Sequence, residues 1–577
     1  MTGTAAPSDA EWRRSEGVPS LEEPFLKKYL HGREALIAQE KKHRSDHAFR
    51  EVLSPMAREA SGIVRQIRDE ELRTVWTKDS DSGVPVQTTD IFPGMMFYQA
   101  KERMEKTKLW NIVKKMPKGA LLHCHFEAMV DIDWILDQLF AYGGIHIQAS
   151  RSLHNEQIRT KSQFQLAWRK STVNSNTSIW SESYTPDELI PIDVAADTFP
   201  AGGRQGFRAW IRSRASITHD ESIMHHEGGN EIWRKFISCF DVLRTCLCYE
   251  PIWKKSIKHV LGMLADDGVQ YVDFRAVFRN AYFREGSETP EPNNFRRIEA
   301  MEEAIDEFMD SEKGKNFWGA RLIWTDIRIL PTNLIIEGMK ECIAIKQKHP
   351  DLIAGYDLVG QEDTGRPLVD FLPELFWFKK AAAEAGVELP FFFHAGETLG
   401  DGDKIDQNLF DAILLGTRRI GHGFSLYKHP LLVDMVKDKK ILVESCPISN
   451  EVLRLTHSVM SHPLPALLSR GVPVALCNDD PGIFGHEVSG ITYDFWQALQ
   501  GWENLGLEGM GSLAENSVRW ASFDDFSTAE WQKELKDGAF GEGERAMRMK
   551  EWAHQWEEYC AWIVKEYGQE YGAMQGL

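Results

Sequence analysis

GALLHCH, residues 119–125, decides how this chain is read. Its apolar start and polar end describe a short buried strand whose last residues leave the core. Six further stretches share that character: VQYVDFRAV (269–277), ARLIWTDIRIL (320–330), LIAGYDLVG (352–360), LPFFFHAGE (389–397), ILVESCPIS (441–449) and VPVALCNDD (472–480). RRIGHG (418–423) is shorter and less apolar, but sits between helical-looking segments in the same way. Eight buried strands alternating with helix-compatible sequence predict an α/β fold, a (β/α)8 TIM barrel. The strand tails carry His, Glu and Asp, and the C-terminal strand ends of such barrels build the active site.

The barrel with its C-terminal helices is assigned to residues 116–577. The gap between the first two strands is too long for one crossover helix, so 140–230, rich in Ser and Asn at its centre, reads as an inserted subdomain. A helix from about Asn230 to Tyr249 follows it. Residues 21–115 read as an N-terminal helical region, with Pro55 separating two helices and a further helical segment over Met95–Lys115. Residues 1–20 have the composition of a flexible tail. Near the other end, Met549, Trp552, Trp556, Tyr559 and Ile563 recur at helical spacing, the mark of a core stripe.

Of 577 residues, 67 are Lys or Arg and 86 Asp or Glu, a net charge of −19, with 42% apolar and 27% charged residues. That composition is globular and disfavours nucleic acid or an anionic membrane as a partner. Eight cysteines without a CxxC pair form neither a disulfide framework nor a zinc ribbon. There is no apolar run long enough to span a bilayer and no visible signal peptide, so a cytoplasmic protein is expected. The single sequon, Asn176-Thr177-Ser178, is of a kind that arises often by chance.

His123 and His125 stand at i and i+2 of one strand and so point to the same side. They fit either a metal site or a buried structural pair. His394 ends a second strand and Asp479 a third. Three imidazoles and one carboxylate at the strand ends of one barrel suit zinc. Two-metal barrels carry a modified Lys on the fourth strand; LIAGYDLVG has none, so one zinc ion per chain is expected. Glu397, three residues beyond His394, is either a general acid–base or a first-turn carboxylate. His422 lies between two glycines that permit close approach, where an imidazole could orient water. Asp480, beside Asp479, is either a ligand-binding carboxyl or the cap of a helix starting at Asp-Asp-Pro.

In order, LHCHFEA, HAGE, RIGHG, ESCPISN and NDDP resemble the adenosine deaminases of the metal-dependent amidohydrolase superfamily. MPKGALLHCH, YDLVGQEDTGRPL, RIGHGFSLYKHP, CPISNEVLRL and DDPGIFG through ITYDF resemble most its larger branch, the adenosine deaminase growth factors. The resemblance covers about residues 110–500; the N-terminal helices and the insert resemble that branch's dimerisation and insertion domains in layout. It implies zinc held by His123, His125, His394 and Asp479, with Glu397, His422 and Asp479 catalytic. Glu397 would exchange a proton with the ring nitrogen beside the reacting carbon, and His422 would position the attacking hydroxide. Asp480 would bond the five-membered-ring nitrogen, Gly360 would offer backbone to the purine, and Trp233 would line the pocket.

Two departures fall at the sugar: Phe126 replaces an Asp common after the HxH of that branch, with Glu127 next along, and Gln361 replaces a His. Glu127 suits a 5′-hydroxyl and would repel a phosphate, since like charges ~4 Å apart at an effective dielectric near 20 cost about 4 kcal/mol. The expected activity is therefore deamination of the purine nucleosides adenosine and 2′-deoxyadenosine by a homodimer. The alternatives are deamination of AMP, another adenine nucleotide or an N6-substituted adenosine, a different barrel amidohydrolase, or an inactive binding protein. Arg204, Arg208, Arg212 and Arg214 in the insert either form a solvated helix face or reach in to bind phosphate.

Overall fold

The computed structural model describes residues 9–77, 91–170, 177–224, 228–486 and 490–572. The sequon's Asn176 and the first eight residues of the expected tail lie outside them.

The chain enters the barrel on β1 (Gly119–His125). The insert then contributes β2 (Ile145–Gln148), β3 (Gln165–Trp168) and β4 (Ile190–Pro191), an antiparallel sheet in the order β3-β2-β4. Barrel strands resume with β5 (Val269–Ala276), β6 (Gly319–Ile327) and β7 (Ile353–Val359), and continue with β8 (His394–Ala395), β9 (Arg419–His422), β10 (Leu442–Ser445) and β11 (Val474–Leu476). They form two parallel four-stranded sheets, β1-β5-β6-β7 and β8-β9-β10-β11. Two seams join these sheets. At one, His125 N–H donates to Asp479 O at 3.0 Å and Asp479 N–H to His123 O at 3.2 Å. At the other, Tyr356 N–H donates to Pro390 O and Phe392 N–H to Tyr356 O. The expected fifth strand, 389–397, is regular only at His394–Ala395; Pro390 can accept there but has no N–H to give. Every residue of β1 and β7 is buried, as parallel strands covered on both faces require.

The described residues of the insert pack around a core of their own. Phe164, Trp180, Phe199, Phe207 and Trp210 form one aromatic cluster, with Trp180 and Phe199 centroids 5.0 Å apart and Phe164 and Trp210 4.7 Å apart. Phe207 and Trp210 share helix Gly203–Ala215, but Phe164, Trp180 and Phe199 come from outside it, so no single period links all five. The helix that leaves the insert spans Gly229–Cys246 and buries Trp233, Phe236, Phe240 and Leu243.

Residues Asp9–Ser15 form a fully exposed helix within the expected tail. Helix Pro24–Lys42 has no buried residue, and Phe25, Tyr29 and Leu36 on it are 60%, 67% and 67% exposed. Pro55 starts helix Pro55–Thr74, where Ser54 caps the end by accepting Ala57 N–H. The single segment expected over Met95–Lys115 is two helices, Phe97–Met104 and Lys108–Lys115, because Thr107 caps the second. Helix Glu544–Tyr571 buries the expected stripe and packs on Pro55–Thr74. Among the described residues no helix is long and apolar enough to cross a membrane.

Candidate active site and metal centre

His123 and His125 end β1, His394 opens β8 and Asp479 follows β11, so three strand ends converge. One ligand atom from each of the four lies within 4.8 Å of all the others. Asp479 Oδ1 is 3.2 Å from His123 Nε2 and 3.3 Å from His125 Nε2. Tetrahedral zinc with bonds near 2.0–2.1 Å spaces its ligands about 3.3–3.5 Å apart, so the cluster has the right size. Its polarity is right too. Glu444 accepts from His123 Nδ1 and Asp357 from His394 Nδ1, each at 2.7 Å. A carboxylate only accepts, so both rings carry their proton on the outer nitrogen and aim a lone pair inward. Burial pushes the His394 ring down to about 3, keeping it neutral. His123 Nε2 and Asp479 Oδ1 thus face each other as two acceptors, buried and without a hydrogen-bond partner. A cation reconciles them.

Behind the cluster lies a charged layer that is not evident as a motif in the sequence. Arg275 of β5 bridges Asp357 and Glu444, each at 2.8 Å; Arg419 of β9 bridges Glu444 at 2.5 Å and Asp273 at 2.8 Å. All five side chains are fully buried. The guanidiniums and the imidazoles hold the Asp357 and Glu444 carboxyls far below their ordinary range against the cost of burial. Three carboxylates against two guanidiniums leave one negative charge beneath a site shaped for a cation. The available signal was a charge inside each apolar strand, as in YVDFR, GYDLV and VES.

Glu397 and Asp480 flank the cluster, and both are almost wholly buried. Burial first, then Asp479 and Glu362, pushes the Glu397 carboxyl well up; burial and Asp479 do the same to Asp480. Each has one buried oxygen without a partner, Glu397 Oε1 and Asp480 Oδ1. Glu362 holds the turn, its oxygens accepting Glu397 N–H at 2.9 Å and Gly396 N–H at 3.3 Å. His422 Nε2 lies 3.6 Å from Glu397 Oε1 and 3.8 Å from Asp479 Oδ2. Both His422 (φ 63°) and Asp479 (φ 57°) occupy the left-handed region, a strain concentrated where the site is assembled. Gly421 lets β9 approach β1: a Cβ there would lie 2.7 Å from the His123 ring. Gly360 ends β7 at φ 111°, which demands glycine.

The mouth is roofed by helix Gly229–Cys246. Trp233, Phe236, Phe240 and Arg244 fall on one face; Phe236 stacks on Phe484, and Phe240 lies 6.3 Å from His125. Trp233 packs on Phe236, a step further from the cluster than Phe240. Glu127 does not stand as the free carboxylate expected: Oε1 accepts Val277 N–H at 2.9 Å and lies 3.5 Å from Arg244 Nε. Arg244 therefore offsets much of the repulsion expected for a phosphate. Gln361 spends its amide on Asn230 and Thr364, tying the helix to the end of β7. The four insert arginines considered for phosphate are engaged elsewhere. Arg204, Arg208 and Arg212 pair with Asp193, Asp197, Asp133 and Asp137, and Arg214 is buried against the carbonyls of Arg159 and Ser162.

Four candidate metal ligands at the strand ends of a (β/α)8 barrel, with a buried carboxyl beside them, define a metal-dependent amidohydrolase. The adenosine deaminase family model matches residues 215–538, more than half of the chain. An adenosine deaminase of Lutzomyia longipalpis is 32% identical over 444 residues, covering 75% of this chain and 80% of that one. Adenosine deaminase 2-A of Danio rerio is 31% identical over 436 residues, covering 74% and 80%. The fold is also similar to the adenine deaminase of Arthrobacter aurescens, at 18% identity and a TM-score of 0.47 over 76% of this chain and 99% of that one. The chain belongs to the adenosine deaminase family, in its growth-factor branch.

Proposed function

We propose that the protein hydrolyses adenosine and 2′-deoxyadenosine at carbon six, adding water and releasing ammonia with inosine or deoxyinosine. The observation that carries this is a pair of buried carboxyls, Glu397 and Asp480, on either side of the four-ligand cluster, each with an unpartnered oxygen and each pushed by burial toward its protonated form. Adenine presents lone pairs at N1 and N7, and two neutral acids are donors suited to both. Glu397 gives its proton to N1 as water adds to the neighbouring carbon, takes up the proton that the added water gives off, and passes it to the departing amine. Asp480 donates to N7, and Gly360 offers backbone at the edge of the ring. His422 orients the water, and Trp233, Phe236 and Phe240 close over the base.

His123, His125, His394 and Asp479 would hold one zinc ion, which supplies a water acidified from 15.7 to about 7. The sugar end favours a nucleoside over a nucleotide, because Glu127 and Arg244 together leave no excess positive charge for a phosphate. We further propose a homodimer, supported by the bare apolar face of helix Pro24–Lys42, and a cytoplasmic location on the sequence reading alone. Parallel turnover of adenosine, deoxyadenosine, AMP and N6-methyladenosine, followed by the ultraviolet change at the purine, tests the reading. AMP handled as well as or better than adenosine would overturn the nucleoside assignment.

A further inference from the structure

A line of hydrogen bonds runs into the site from behind His422. The backbone N–H of Leu464 donates to His462 Nδ1 at 3.1 Å. A backbone amide can only donate, so that nitrogen holds a lone pair and the ring proton sits on Nε2. Burial pushes His462 down to about 3, in keeping with a neutral ring. Its Nε2–H donates to Asn450 Oδ1 at 3.0 Å, which turns the Asn450 amide so that Nδ2 faces His422. Asn450 Nδ2 then donates to His422 Nδ1 at 3.2 Å. A proton on His422 Nδ1 would oppose that donor, which excludes both the other tautomer and the doubly protonated ring. The remaining proton is on Nε2, the atom that faces Glu397 and Asp479. All three side chains are buried, so water does not compete for these bonds.

We infer that Asn450 and His462 are positioning residues that fix His422 as a hydrogen-bond donor, directing an N–H rather than a lone pair at the reacting water. This rests on the deaminase reading of the site. The direction is set three residues away, by a backbone amide whose polarity cannot reverse.

The test uses the zinc-loaded, full-length protein. Asn450→Asp keeps the shape but accepts at both oxygens, so one takes the His462 proton and the other draws a proton onto His422 Nδ1. Turnover of adenosine should fall ~10²–10⁴-fold, the range for losing a positioned acid–base group, with ~10⁴ the loss when a catalytic histidine is held in the wrong tautomer. KM should stay within about threefold and zinc should be retained, since neither residue is a ligand or a substrate contact. His462→Gln, whose amide can still donate to Asn450, should keep turnover within about tenfold. Nitrogen-15 spectra of histidine-labelled protein, assigned with His422→Gln, report the tautomer directly: Nε2–H in the wild type and Nδ1–H in Asn450→Asp. A wild-type His422 protonated at Nδ1 overturns the inference, even if Asn450→Asp fails to fold. Unchanged turnover in a folded, zinc-bound Asn450→Asp overturns it as well. A wild type that leaves adenosine untouched would instead remove the deaminase reading, while the spectrum still reports the tautomer.

Discussion

Replacing Glu444 with Gln would test the buried charged layer at its most connected point. The carboxylate accepts from His123 Nδ1 at 2.7 Å, Arg275 Nη2 at 2.8 Å and Arg419 Nε at 2.5 Å, with no exposure to water. A glutamine offers one acceptor oxygen where three donors converge, and brings two N–H donors of its own. If the oxygen stays with Arg419, the amide nitrogen faces Arg275 and His123 and draws the His123 lone pair outward, leaving an N–H aimed at the metal position. If the oxygen stays with His123 and Arg275, which share Oε2, the Arg419 guanidinium meets an amide. Arg275 keeps Asp357, and Arg419 keeps Asp273, so the layer is weakened and not dismantled. Losing a carboxylate that orients a ligating histidine costs about 10–100-fold in metal affinity. Breaking a buried ion pair costs about 3–5 kcal/mol of stability, and the surviving partners place this case at the lower end. The assay is zinc retained after dialysis against a graded chelator, with thermal unfolding of the same samples. Zinc affinity and melting equal to the wild type would refute the view that Glu444 sets the His123 tautomer.

Four other outcomes follow from the geometry. Glu397→Gln should keep its zinc and lose turnover by ~10²–10⁴-fold, because the carboxyl moves protons but is no ligand; near-normal turnover would assign the acid elsewhere. Arg244→Gln should sharpen the preference for adenosine over AMP by about tenfold or more, since it uncovers the Glu127 charge; an unchanged ratio of kcat/KM values would refute this. Burial pushes the Glu71 carboxyl up to about 7, at the joint where it accepts Leu109 N–H. A raised folded pKa stabilises fully below the unfolded value of 4.5 and is lost as pH rises through 7, so Glu71→Gln should flatten that decline by about 1–3 kcal/mol in denaturant titrations at pH 5 and 8. Removing residues 1–90 should give monomer or insoluble protein by light scattering; a soluble dimer would place the interface elsewhere.

The barrel was legible because seven of its strands are short, mostly apolar runs, a pattern local in sequence. Its four candidate ligands were legible because each ends one of those runs. Arg275 and Glu444 were not singled out: a charge inside an apolar strand makes sense only once its partner, 169 residues away, is seen across the barrel. The roof over the mouth was half legible. The helix beginning near Asn230 was expected and Trp233 marked, but which face turns inward depends on Phe484, far along the chain. Glu127 shows the limit most plainly, since its neighbour Arg244 lies beyond an insert no local pattern resolves.

The two seams of the barrel give the metal position a mechanical meaning. His123, His125 and Asp479 straddle one seam, and His394, bonded to Asp357 of β7, straddles the other. Each half-barrel alone would carry an incomplete set of ligands, and a bound ion would clamp the halves like a keystone. Capture of an ion by the full ligand set would therefore wait until the eighth strand has closed on the first. Withdrawing the ion should loosen the structure unevenly, with amide exchange rising first at His125, Tyr356, Phe392 and Asp479, the N–H groups that stitch the two halves together.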